Sequence, residues 1–241
     1  MLDTGRFLLL SLVTVPFAGW VSSYSYAYLT RETLGRRTIE AGSRSLGADS
    51  WRVGRDVSFG RGRELSALRA RLEAAPNGFV VVAGPNDAGK EYFLRELLHG
   101  RKHVKRVDMS SHDCSLSGLV SELAETFGCR WLDVRSALVD VLPFVGGEIL
   151  VMKERFSERD LRMSLSAVEG ALVQMQRRSE GTDAEHKERP VICLRYRGGS
   201  FHRTAEGRHA LRLLFNWCDR VLTKKLAHVI LSGDQSLVFN V

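Results

Sequence analysis

The residues Gly84-Pro85-Asn86-Asp87-Ala88-Gly89-Lys90 match the pattern G-x-x-x-x-G-K. Glycines in such a turn let backbone N–H groups curl round phosphate oxygens, and the lysine reaches the outer phosphates. The string directly follows an apolar run, Phe79–Ala83, and directly precedes a helical pattern, Glu91–Leu98. The positive end of that helix then faces the same anion. The expected nucleotide-binding set is Gly84, Pro85, Asn86, Asp87, Ala88, Gly89, Lys90 and Glu91. The competing reading of the same string is a plain strand-to-helix turn with a surface lysine.

A loop of this kind needs a sheet behind it and a helix in front. Phe79–Ala83 is a short, continuous, mostly β-branched run, the pattern of a strand buried on both faces of a parallel sheet. Val104–Met109, Pro190–Leu194 and Ala227–Leu231 read as the second, third and fourth strands. Between them lie helical patterns: Glu91–Leu98, closed by Gly100; Leu119–Phe127; a further amphipathic set at Trp131, Val134, Leu138 and Val141; and Thr204–Leu222. Ser157-Glu158-Arg159-Asp160 resembles a capping box, with the apolar stripe Leu161, Leu165, Val168, Leu172 and Met175 behind it. Upstream, Phe59–Leu65 is a turn running into a helix whose Leu65, Leu68 and Leu72 share one face. Strands alternating with helices predict a mainly parallel sheet covered on both faces. Right-handed crossovers then line up the loops that follow the strands along one edge, where a ligand binds.

Taken together, the Phe59–Leu65 element, the Gly84–Lys90 loop and the strands Pro190–Leu194 and Ala227–Ser232 resemble AAA+ and STAND-type P-loop ATPases of the archaeal-ATPase group. In that family a G-R-x-x-E-L element beside the adenine is followed by Walker A, Walker B and sensor 1. The resemblance covers about residues 59–241; Walker A is the specific motif and the others match by position. It implies an α/β fold, P-loop NTPase-like, with three α/β/α layers and a mainly parallel sheet. It also implies ATP or a related nucleotide as ligand and Mg²⁺ as its companion. Phe59, Gly60 and Arg61 fall on the adenine side, and Ser232 or Asp234 falls where sensor 1 meets the γ-phosphate; a surface turn accounts for those last two residues equally well. The family continues with a fifth strand and a helical lid, so the fold is expected to be truncated at its C-terminal end.

The departures bear on chemistry. The family's Walker A ends in Ser or Thr, whose hydroxyl binds Mg²⁺, and this position is Glu91. Where the family ends its third strand in acidic residues, this chain has Arg195-Tyr196. Neither is a general base at neutral pH, so no catalytic residue and no metal ligand is assigned, and Mg²⁺ is in doubt. An Arg195 aimed at the loop would join Lys90 in neutralising phosphates in place of Mg²⁺; a simpler reading has it reaching solvent at a decayed site.

The chain has 241 residues, of which 44% are hydrophobic, enough for one sizeable core. Cys114, Cys129, Cys193 and Cys218 form no C-x-x-C pair and read as reduced core thiols. His112 beside Cys114 lacks the further ligands a metal site needs. The net charge of +7 suits phosphates or an anionic membrane, but much of it is dispersed along helix faces, and no aromatic-plus-basic pattern supports nucleic acid. Phe7–Leu29 has no charged residue and is long enough to cross a bilayer, with Trp20, Tyr24, Tyr26 and Tyr28 as an interfacial belt. Arg31, Arg36 and Arg37 would leave the rest on the cytosolic, matrix or stromal side. A signal peptide over Phe7–Val15 and an organellar targeting segment are the rivals.

The expected organisation is a hydrophobic helix and single-pass anchor in 1–30, a linker in 31–58, and an incomplete P-loop domain in 59–241. The expected function is a membrane-anchored ATP-binding switch or scaffold with weak or absent hydrolysis. An active ATPase and a non-binding structural fragment are the alternatives, and a homo- or hetero-oligomer is open.

Overall fold

The computed structural model describes residues 19, 21–45, 61–85, 88–109, 115–129, 156–180, 188–196 and 200–234. Its elements in chain order are α1 (Arg31–Ser45), α2 (Gly62–Glu73), β1 (Val80–Ala83), α3 (Lys90–Leu98), β2 (Val104–Asp108), α4 (Leu116–Phe127), α5 (Glu158–Glu180), β3 (Val191–Arg195), α6 (Ser200–Arg203), α7 (Ala205–Thr223) and β4 (His228–Gly233). All four strands are parallel and lie in the order β1-β4-β3-β2. The chain therefore leaps from β1 to the far edge at β2, then steps back strand by strand towards β1.

That reversal decides which face each helix covers, because right-handed crossovers made in opposite directions lie on opposite faces. On one face Val80, Val104, Val191, Cys193 and Ile230 pack against Phe93, Leu94 and Leu97 of α3 and Leu72 of α2. On the other, Val107, Ile192, Leu194, Val229 and Leu231 pack against the apolar faces of α4, α5 and α7. The result is an α/β fold of three layers around a parallel sheet. The central strands β3 and β4 are buried almost throughout, whereas β1 at the edge leaves Val81 exposed.

Local sequence sets the helix ends. Ser157 precedes α5, and the Asp160 carboxylate accepts from its backbone N–H at 2.8 Å and from its hydroxyl at 2.7 Å, the reciprocal contact of a capping box. Thr204 caps α7 by accepting from the Gly207 N–H at 2.9 Å. Gly128 ends α4 at φ 66° with its N–H on the Ala124 carbonyl, a left-handed stop that suits glycine. Cys129, Cys193 and Cys218 are buried and in no disulfide, as expected; burial pushes the Cys193 thiol up to about 12 and raises Cys218 as well. Cys114, His112 and the set Trp131–Val141 lie outside the described residues.

The N-terminal expectations need correction. Among the described residues no helix is long and apolar enough to cross a membrane, which overturns single-pass anchoring by Phe7–Leu29 and the localisation drawn from it. Residues 21–29 are helical, and the hydrogen bonding runs on into α1 through Thr30, whose N–H donates to the Tyr26 carbonyl and whose carbonyl accepts from the Leu34 N–H. Ala27 is buried in the larger core. The Phe7–Val15 stretch lies outside the described residues.

The first half of the expected linker is also helix. α1 packs on α5, α4 and β2 and buries Ile39 and Arg36. Small residues bring α1 and α5 close: a Cβ on Gly35 would stand 3.4 Å from that of Ala171, and one on Gly170 would stand 2.6 Å from the Glu32 carboxyl carbon. Gln174 donates to Glu32 across the same seam at 3.0 Å.

Candidate functional site

Four strand ends meet at one edge of the sheet. The register pairs Ala83 with Gly233, Ser232 with Arg195, and Arg195 with Asp108. The ladder runs on beyond the strands: the Gly84 N–H donates to Gly233, Tyr196 to Ser232 and Met109 to Arg195. The loop after β1 leaves from this edge and enters α3. Gly89 holds φ 74° and ψ 17° at the helix entrance, a left-handed conformation that glycine adopts without strain. The Ala88 N–H donates back to the Pro85 carbonyl at 3.3 Å, and Lys90 Nζ donates to the Gly84 and Pro85 carbonyls at 2.6 Å each. The lysine thus closes the neck of its own loop. Asn86 and Asp87 lie outside the described residues.

Glu91, one residue further on, is held by two arginines. Arg106 grips it with two nitrogens, at 2.9 and 3.1 Å, the fork that guanidinium and carboxylate form best. Arg195 Nε donates to the same carboxylate at 2.9 Å and its Nη1 reaches Asp108 at 3.1 Å. Strand alternation explains the gathering. Arg106, Asp108 and Arg195 lie on the α3 face in line with Val104 and Cys193, and Glu91 enters that face from the first turn of α3. All four side chains are partly buried, Arg195 most of all. Ion pairs so placed are screened less than surface ones.

Arg195, for which the sequence leaves open a place at the loop or in solvent, is engaged by Glu91 and Asp108. Ser232 is buried within β4, opposite Arg195, and Asp234 follows the end of that strand half-buried. Arg61 stands exposed at the start of α2; Phe59 and Gly60 lie outside the described residues. Arg106 and Asp108 escaped the sequence reading. The signal was present in Val104-Lys105-Arg106-Val107-Asp108, whose three charged residues mark an edge strand, but nothing in it named Glu91 and Arg195 as partners. Asp108 is tied further by its N–H, which donates to Glu122 at 2.9 Å; burial raises the Glu122 carboxyl, against that hydrogen bond.

Mg²⁺, implied by the family resemblance, does not fit this donor set. At the hydroxyl position stands a carboxylate whose two oxygens each accept from a guanidinium, and at the end of β3 stands a cation. Among the described residues no three His, Cys, Asp or Glu side chains gather to hold a metal.

The carboxyl edge of a parallel α/β sheet, at the place where strand order reverses, is where this class of fold binds ligands. No family model matches the chain, and no curated protein does. Among solved structures the chain is similar to a Walker-type ATPase of Pyrococcus abyssi, with a TM-score of 0.41 and 17% identity over 78% of this chain and 49% of that one. The chain thus spans about half the length of that protein.

Proposed function

We propose that this domain binds ATP or a related nucleotide through the Gly84–Lys90 loop, as P-loop domains do, and hydrolyses it poorly or not at all, serving as a switch or scaffold. The supporting observation is the placement of the loop. It joins a strand end at the reversal of strand order to a helix N-terminus, with a left-handed glycine at the junction and a lysine folded over it. Phosphate oxygens arriving there meet backbone N–H groups and the helix dipole together. Arg195-Tyr196 at the end of β3 supplies no base for an attacking water, and Glu91 replaces the metal-binding hydroxyl. Isothermal titration of ATP into the native chain and into Lys90→Ala tests the reading. Saturable binding that the substitution weakens about tenfold or more supports it, and identical curves refute it. Steady-state phosphate release above background would replace the weak hydrolase with an active ATPase.

One observation favours a second reading. Lys90 already satisfies two carbonyl oxygens of its own loop, as it would in a structural fragment that binds no nucleotide. The same titration separates the two.

A further inference from the structure

We infer that this site takes the phosphates of a nucleotide as a free anion, without a divalent cation, and that Arg106 is the residue that makes this workable. The inference rests on the nucleotide reading above. A magnesium ion demands near-octahedral oxygen ligands at about 2.0–2.1 Å. Glu91 and Asp108 are already engaged by guanidiniums: both Glu91 oxygens by Arg106, one of them shared with Arg195, and Asp108 Oδ2 by Arg195. A dication entering here would have to break those pairs and stand beside two fixed positive charges. A phosphate faces the opposite situation. Lys90, Arg106 and Arg195 bring three cations to this edge of the sheet, and the guanidinium pairing of Glu91 and Asp108 leaves neither of those carboxylates bare towards an incoming phosphate.

The arrangement also solves a difficulty raised by Glu91. A carboxylate in the first turn of the loop helix would repel phosphates if it were free. Arg106 grips it through two nitrogens from the edge strand, so Arg195 Nε can turn from Glu91 to a phosphate oxygen, its Nη1 still on Asp108, without stranding a bare carboxylate at the site. Arg106 is in this sense a positioning residue. It touches no phosphate itself, yet binding depends on its hold on Glu91.

Calorimetric titration of ATP into the full chain, once with excess EDTA and once with excess Mg²⁺, provides the test. Dissociation constants that agree within about twofold are expected. Arg106→Ala should weaken binding in both buffers, and the double change Arg106→Ala/Glu91→Gln should recover it, because the repelling charge has gone; a merely structural role for Arg106 would not be rescued in this way. The double variant Glu91→Ser/Arg195→Asp, which supplies a hydroxyl and a carboxylate, should bind more tightly with Mg²⁺ than without. Native binding about tenfold or more tighter in Mg²⁺ overturns the inference and leaves the nucleotide reading standing. No binding in either buffer overturns the nucleotide reading, and the inference with it.

Discussion

Lys90 rests on two carbonyl oxygens of its own loop, so an anion that enters must draw the ammonium away from them. Gly89 is the other residue on which the loop turns. At φ 74° a side chain meets the penalty of the left-handed region, about 1–2 kcal/mol, so Gly89→Ala should lower the unfolding free energy read from urea denaturation by that amount as well as weaken ATP binding. A drop in neither would show that the loop is not held in this conformation. The same scale carries a pH prediction. His228 is buried at the start of β4, and desolvation first, then Arg101 and Arg189, lower it from 6.5 to about 4, while a hydrogen bond with the Leu72 backbone opposes the shift. The imidazole is therefore neutral in the folded chain. Between pH 6.5 and about 4 the unfolded chain binds the extra proton, so stability contributed by this group is complete above pH 6.5 and is lost as pH falls towards 4. The loss is about 3 kcal/mol. Unfolding free energies measured across that range should show the slope, and His228→Gln should flatten it; an unchanged slope would assign it to other groups.

At the scale of elements, much was legible and the exceptions are instructive. The strands announced themselves because β3 and β4 are buried on both faces and so are apolar without interruption. α4, α5 and α7 were legible through their apolar stripes and through Ser157 and Thr204 at their starts. α1 was not. Its glycines and arginines read as a loose arm, since Gly35 costs helix propensity and the benefit it brings, close approach to Ala171, belongs to a partner more than a hundred residues away in sequence. The apolar, aromatic stretch before it suggested a membrane because sequence shows that a segment is apolar but not what covers it; of its described residues Ala27 is buried in the domain's own core, while Val21, Tyr26 and Leu29 stand exposed. Ile39 of α1 is buried in the same core, so Ile39→Ala should cost about 2–4 kcal/mol, the usual loss for a fully buried aliphatic side chain. Denaturant unfolding measures it, and a cost under about 0.5 kcal/mol would mean that α1 is not part of the core. The site divided in the same way. The loop was legible as a string, whereas the grip of Arg106 and Arg195 on Glu91 depends on which strands become neighbours.

For the molecule as a whole, strand order β1-β4-β3-β2 gathers the loop, Arg195, Ser232 and Asp108 at one end of the sheet, although they are scattered over more than a hundred residues of chain. A ligand bound there ties β1 to β4 and β3 and must stabilise the whole cooperative unit. At a hundredfold excess over its dissociation constant, ATP should add about 2.7 kcal/mol to the unfolding free energy, or roughly 5–10 °C in Tm for a domain of this size. Differential scanning fluorimetry reads that shift, and an unmoved transition at saturating ATP would speak for the non-binding fragment.

The most direct measurement is an NMR titration of the isotope-labelled chain with ATP, following the backbone amide signals of Gly84, Ala88, Gly89, Lys90 and Glu91. Saturable shifts are expected, largest at those amides, with the Arg195 side-chain Nε–H signal moving at the same concentrations as Glu91 gives it up. Loop amides that stay still while ATP binds elsewhere, or while it fails to bind at all, would contradict nucleotide binding at this loop.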